Sequence, residues 1–104
     1  MKELNKKYVF HIPLYKYEDN ELILIEIDDI LDDLIYQLGS ESLYMTKVKS
    51  VYKKRMYDEI LLTIFTNESP EFVFEKWFEE NNDMLCQEAF AYELGDSMII
   101  KKLI

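Results

Sequence analysis

Cysteine, histidine, glycine and proline are scarce in this 104-residue chain, which contains one, one, two and two of them. A single cysteine excludes an intrachain disulfide and a zinc site built from thiolates. There is no Gly-rich phosphate loop, and no HExxH, CxxC, GxSxG or EF-hand pattern occurs. The longest apolar runs, such as residues 22–25, are far shorter than the roughly 18 residues of a membrane-spanning helix. Most nucleotide, metal and acyl-transfer chemistries therefore lack their local signatures, and no cofactor is expected.

Positive charge is also scarce, because 12 Lys and Arg stand against 21 Asp and Glu, for a net charge of −9. Such a surface repels phosphate backbones and anionic lipid, which disfavours nucleic acid and membranes as partners. The N-terminal residues 1–10 have no apolar stretch typical of a signal peptide and no small-residue cleavage site. Together with the lone cysteine, this predicts a cytoplasmic protein.

Hydrophobic residues make up 49% of the chain and aromatic residues 14%, which is enough for one core and a single α+β domain over residues 1–104. Strands are predicted over residues 8–17, 43–54, 57–66, 87–94 and 97–103. Residues 21–27 are compatible with strand, loop or helix. With two helices placed between these strands, the order is β-α-β-β-α-β plus an extra C-terminal strand. It predicts a ferredoxin-like split β-α-β fold, an antiparallel sheet with two helices on one face.

Both helices carry local signals. The first has an apolar stripe at helical spacing that ends before Gly39, a glycine in a C-cap position; the stripe is Ile27, Ile30, Leu31, Leu34, Ile35 and Leu38. The second is predicted to begin with Ser69 as N-cap and Pro70 at the first helical position, and to end at residues 81–83. Hairpin turns are predicted at residues 55–56 and at Gly95-Asp96.

The sheet face that the helices leave open is the predicted interaction surface. Apolar residues expected there are Leu43, Met45 and Val51, with Met98 or Ile100 as further candidates. Lys47, Lys49 and Lys53 belong to the one compact basic stretch of the chain, and this stretch could meet an acidic helix of a second copy. The pattern predicts a homodimer formed through sheet faces or edges, since an exposed apolar face needs a cover.

Asp28, Asp29, Asp32 and Asp33 form an acidic face on the first helix, where residues four apart are neighbours. The first three resemble the aspartate-rich DDxxD motif of prenyl-diphosphate synthases, which are large all-helical enzymes that carry two such motifs. This short chain has one, so no metal is expected. A solvated face is the favoured interpretation, and a surface for a basic protein partner is the alternative.

His11 is the sole histidine and the one weak candidate for a catalytic residue. No nucleophile stands near it in sequence, and a partner would have to come from an adjacent strand, for instance Glu88 or Glu93. Cys86 lies between Asp83 and Glu88, a setting that disfavours a reactive thiolate.

These features favour a small acidic protein-interaction module that is non-catalytic and self-associates as a dimer. An acidic inhibitor or nucleic-acid mimic that binds a basic protein is the first alternative. The second is a small enzyme or ligand-binding domain with His11 at a dimer cleft, assisted by Tyr15 or a strand carboxylate.

Overall fold

The fold is built on a five-stranded antiparallel sheet, in a computed structural model that describes residues 1–40 and 42–103. The strand order is β4-β5-β1-β6-β7, and β2 and β3 form a separate two-stranded sheet. The elements in chain order are β1 (Lys6–Pro13), β2 (Tyr15–Glu18), β3 (Glu21–Leu24), α1 (Asp28–Leu38), β4 (Ser42–Tyr52), β5 (Arg55–Thr66), α2 (Glu71–Leu85), β6 (Ala89–Leu94) and β7 (Ser97–Lys102). An α+β protein with an antiparallel sheet and two helices is therefore confirmed.

The core lies between the two helices and one face of the sheet. On β1, alternate residues Tyr8, Phe10 and Ile12 are buried against the helices. From α2, Phe74 and Trp77 enter the same core and are almost fully buried. The Trp77 indole Nε1 donates a hydrogen bond to the Ile30 carbonyl of α1 at 2.7 Å, so the tryptophan also joins the two helices.

Helix α1 ends as predicted, because Gly39 adopts a left-handed φ of 56° and donates its backbone N–H to the Ile35 carbonyl. The predicted start of α2 is wrong by one residue. Pro70 is the N-cap, and the Ser69 hydroxyl instead accepts a hydrogen bond from Lys6. The helix also runs past residue 83 to Leu85. In the part of the chain that the structure describes, no helix is long and apolar enough to cross a membrane.

Two tight hairpins have positive backbone φ angles at both turn residues, the pattern of a type I′ turn. Asp19 and Asn20 connect β2 to β3, and residues 21–24 therefore form a strand. Lys53 and Lys54 connect β4 to β5, so the turn predicted at residues 55–56 lies two residues earlier. The hydrophobic pattern did not reveal this because lysine is an unusual residue at a positive φ.

Lys54 at φ 66° is predicted to cost stability. The left-handed conformation costs a residue with a Cβ roughly 1–2 kcal/mol. Glycine avoids this cost, but it also increases the conformational entropy of the unfolded chain, which offsets part of the gain in stability. We expect Lys54→Gly to stabilise the fold by about 0.5–1 kcal/mol in urea unfolding. Lys54→Ala removes the same charge but keeps the strain, so a similar gain in both variants would show that charge rather than φ is responsible.

Candidate functional site

The sheet face opposite the helices, called the open face below, carries His11 near its centre. Side chains alternate along a strand, so His11 and Val9 of β1 point away from the core that contains Phe10. Directly paired residues of antiparallel strands share a face. Glu93 of β6 pairs with Val9, which places it on the open face.

Glu59 of β5 reaches the same place from the other side of β1. It pairs with Pro13, which shares the face of His11. Three adjacent strands thus place one histidine and two carboxylates together on the open face.

The imidazole of His11 bridges the two carboxylates. Its Nδ1 lies 2.9 Å from Glu59 Oε1, and its Nε2 lies 2.6 Å from Glu93 Oε2. The side chains of His11 and Glu59 are about 16% and 15% exposed, whereas Glu93 is 37% exposed. Glu93 is therefore the member of the cluster that a ligand can reach most easily.

The hydrogen bonds of His11 favour its charged form. An ionised carboxylate only accepts hydrogen bonds, so both ring nitrogens must carry a hydrogen to satisfy both contacts. Burial by itself lowers the pKa of His11, but the hydrogen bonds and charges of Glu59 and Glu93 outweigh it and hold the pKa above its ordinary value of 6.5. The arrangement therefore favours the imidazolium form of His11, in which neither ring nitrogen has a lone pair free to accept a proton.

Glu59 is held in its ionised form. Burial alone raises the pKa of Glu59, but the hydrogen bonds from His11 and Ser50 hold it below its ordinary value of 4.5. The Ser50 hydroxyl donates to Glu59 Oε1 at 2.5 Å, from strand β4. Two donors thus converge on one oxygen of this carboxylate.

The cluster as a whole carries one net negative charge, from two carboxylates and one imidazolium. Its neighbours on the open face include Val9 and Leu61, the latter directly opposite His11. Apolar surroundings strengthen electrostatic interactions by lowering the local dielectric. The arrangement can therefore attract a cationic group, and Glu93 provides an accessible carboxylate to meet it.

The sequence alone predicts part of this cluster. It indicates His11 and Glu93, but the other suggested partners, Glu88 and Tyr15, have no contact with His11 among those the structure describes. Glu59 was missed because no local pattern connects it to His11, and only the β1–β5 pairing brings the two together. The signal that could have found it is an acid at the start of a nearly continuous apolar strand.

The residues predicted to form the interaction surface lie mostly on the other face. Leu43 pairs with Ile64 and Met45 with Leu62, two core residues, so both belong to the helix side of the sheet. The same alternation places Val51 there, and the predicted open-face position of these three is wrong. Both faces of β4 contain apolar residues, so the pattern alone did not fix which one faces the helices.

Met98 and Ile100 of β7 do lie on the open face, as predicted. Met98 pairs with Glu93 and Ile100 with Ala91, and both are about half exposed on the open face.

The basic residues of the same region do not form one stripe. Lys47 and Lys49 lie on the helix side of β4, and Lys53 lies in the following turn. Lys49 forms an exposed ion pair with Asp58 at 2.8 Å.

The acidic face of α1 is solvent-exposed at its four aspartates, Asp28, Asp29, Asp32 and Asp33. Asp33 accepts a hydrogen bond from Gln37 one turn later. Within residues 1–40 and 42–103, no group of three or more His, Cys, Asp or Glu side chains is arranged to hold a metal ion. Cys86 is exposed at the end of α2 and lies apart from the His11 cluster.

No family model and no curated protein matches the chain. Among solved structures, a phage SAM lyase in its apo state has a similar fold, with a TM-score of 0.62 and 12% sequence identity. The similarity covers 98% of this chain and 94% of that chain. The interpretation of the sequence as a non-catalytic, self-associating interaction module is contradicted by this finding, because a solved protein with a similar fold, the phage SAM lyase, is an enzyme.

Proposed function

We propose that the chain is a small enzyme that acts on a cationic small molecule. SAM (S-adenosylmethionine), after which the structurally similar phage lyase is named, is the first substrate to test. The observation that carries the proposal is the His11-bridged pair of carboxylates on the open face. The similar fold supports it, since the likeness extends over nearly the whole of both chains.

The charges of SAM match this cluster. SAM has a sulfonium and an ammonium group against one carboxylate, so it carries net positive charge. The cluster carries one negative charge, and the whole chain has a net charge of −9 that attracts cations to its surface. Charge-assisted hydrogen bonds from an ammonium group to a carboxylate are among the stronger polar contacts in proteins.

Each member of the cluster has a role in this proposal. Glu93 binds the cationic group and orients it, and it is also the accessible base of the cluster. His11 holds Glu93 in place through its Nε2–H and does not itself remove a proton. In the proposed lyase step, Glu93 takes a proton from the carbon next to the one bonded to sulfur, and a carbon–carbon double bond forms. The electron pair of the broken carbon–sulfur bond leaves with sulfur, so the sulfonium becomes a neutral thioether.

The test is to measure SAM binding by calorimetry and SAM consumption by chromatography, with the adenosine-containing thioether as the product to detect. We expect the wild-type protein to bind and consume SAM. Glu93→Gln is expected to weaken binding at least about tenfold, since it removes a hydrogen bond to a charged group.

Glu88→Gln is the matched control, because this exposed acid precedes the same strand but has no contact with His11 in the described structure. It is expected to bind SAM like the wild type. A wild-type protein that neither binds nor consumes SAM would exclude this substrate. An equal loss in both variants would attribute binding to overall charge rather than to the cluster.

The strand order also supports a finer description of the fold. Without β7 and the β2–β3 hairpin, the order β4-β5-β1-β6 corresponds to a ferredoxin-like split β-α-β arrangement. We propose that the fold is of this type, extended by one edge strand and one inserted hairpin.

A homodimer and a cytoplasmic location stay part of the proposal. The half-exposed Met98 and Ile100 on the open face support self-association, since a second copy would cover them. A basic protein partner for the acidic face of α1 stays a prediction from the sequence.

A further inference from the structure

Four side chains form a continuous series of hydrogen bonds across four adjacent strands on the open face. Ser50 of β4 donates to Glu59 of β5, His11 of β1 donates to Glu59, and His11 also donates to Glu93 of β6. The strands lie in this same order in the sheet. Each link therefore spans one gap between neighbouring strands, about 4.8 Å wide.

The hydrogen bond from Ser50 to Glu59 restricts the orientation of the Glu59 carboxylate. Ser50 and His11 both donate to the same oxygen, Glu59 Oε1, at 2.5 and 2.9 Å. Two donors on different strands leave the carboxylate one orientation that satisfies both. Glu59 is thereby fixed, and it fixes the ring plane of His11 through Nδ1.

At the other end, Glu93 binds His11 through Oε2 alone. Its Oε1 has no hydrogen-bond partner among the contacts that the structure describes, and its side chain is the most exposed of the cluster. The open end of the series is thus a carboxylate oxygen whose position depends on three preceding contacts.

We propose that Ser50 is a positioning residue for the site: its hydroxyl fixes Glu59, and through Glu59 and His11 it fixes the carboxylate of Glu93 toward a cationic substrate. This inference rests on the proposed function for the identity of the substrate. The hydrogen-bond series itself can be tested without any ligand.

Few other charged groups face Glu59, so few could disturb a titration of its carboxylate. On the open face, β5 carries Tyr57 two residues away and β1 carries His11. Strand β4 presents Ser50 and Val48, which do not titrate, and β6 presents Glu93 beyond His11. The helices lie on the other side of the sheet, as do Lys49 and Asp58.

The sole histidine of the chain provides a direct probe, because an NMR spectrum contains one imidazole. Its ring signals should shift in a titration step when acid protonates Glu59. This step should be absent from the titration of Glu59→Gln, which identifies it. We expect Ser50→Ala to move the step to higher pH by about one unit, since the ionised carboxylate loses a donor. Ser50→Thr keeps a hydroxyl and should restore the wild-type position.

Thr46→Ala is the control for loss of a hydroxyl from the same strand and face, because Thr46 has no hydrogen bond among those described for its side chain. It should leave the step unchanged. Calorimetry with SAM adds the second readout: Ser50→Ala should bind about tenfold more weakly, and Ser50→Thr and Thr46→Ala should bind like the wild type.

The outcomes separate this inference from the proposed function. A step that stays at the wild-type pH in Ser50→Ala overturns the role of Ser50, whether or not SAM binds. A shifted step with unchanged SAM affinity overturns it as well. A shifted step in a protein that binds no SAM excludes SAM as the substrate and supports the link from Ser50 to His11.

Discussion

Phe74→Ala is expected to destabilise the protein by about 4 kcal/mol, because it removes the ring at the centre of the aromatic core. Phe74 is fully buried and stacks on Phe10 with ring centroids 4.3 Å apart. It also meets Phe90 of β6 edge to face at 5.7 Å. One side chain of α2 thus contacts two strands of the sheet, and its loss leaves a cavity in the core.

The measurement is the free energy of unfolding from urea titration followed by circular dichroism. Phe72→Ala is the matched control, since Phe72 lies on the same helix two residues earlier and is 70% exposed. It should cost less than about 0.5 kcal/mol, as surface substitutions usually do. A small loss in Phe74→Ala, or an equal loss in both variants, would contradict this description of the core.

The elements with strong local signals were predicted correctly from the sequence. Helix α1 has an apolar stripe and a glycine that stops it, and both act within a few residues. The predicted Gly95-Asp96 hairpin turn is likewise present between β6 and β7, with Gly95 at a φ of 57°. Such signals act through backbone conformation and do not depend on the rest of the fold.

The details that depend on the register between distant segments were predicted only in part. The prediction assigned the side chains of β4 to the wrong faces of the sheet. A shift of one residue in the register is enough for this, because it moves every side chain to the opposite face. Only the register with β5, which places Met45 opposite buried Leu62, decides between the two choices. The local pattern gives the alternation of side chains along a strand, whereas tertiary packing decides which of the two faces meets the helices.

The candidate site illustrates the same limit. His11 could be selected because the chain has one histidine, and Glu93 because it lies on a predicted strand. Glu59 and Ser50 have no local feature that connects them to His11, and three strand pairings are needed to bring the four together. A polar group that is buried must find a partner, so a buried histidine implies that partners exist without giving their positions.

His11→Ala is expected to destabilise the protein most near pH 5–6, by about 2–3 kcal/mol. The substitution leaves Glu59 and Glu93 without the cation between them, and Glu59 is only 15% exposed. A half-buried carboxylate that loses its partner is costly because water replaces the lost contact only in part. The exposed fraction of Glu93, 37%, keeps the expected cost below that of a fully buried pair.

The pH dependence of this cost has a definite sign. The pKa of His11 is raised on folding, so its contribution is fully present below the unfolded value near 6.5 and is lost as the pH rises through the folded value. The pKa of Glu59 is lowered on folding, so its contribution is present above the unfolded value and is lost as the pH falls through the folded value. The difference in stability between wild type and His11→Ala should therefore be largest between these two limits and shrink on both sides.

The check is urea unfolding of both proteins at intervals from pH 4 to pH 9. Lys49→Ala serves as the control, since it breaks an ion pair whose members are 65% and 37% exposed. Exposed pairs of this kind contribute little to stability, and this variant should show no maximum near pH 5–6. A difference for His11→Ala that stays constant across the whole range would mean that His11 stabilises the fold by packing alone, and that it does not hold the two carboxylates together as an imidazolium.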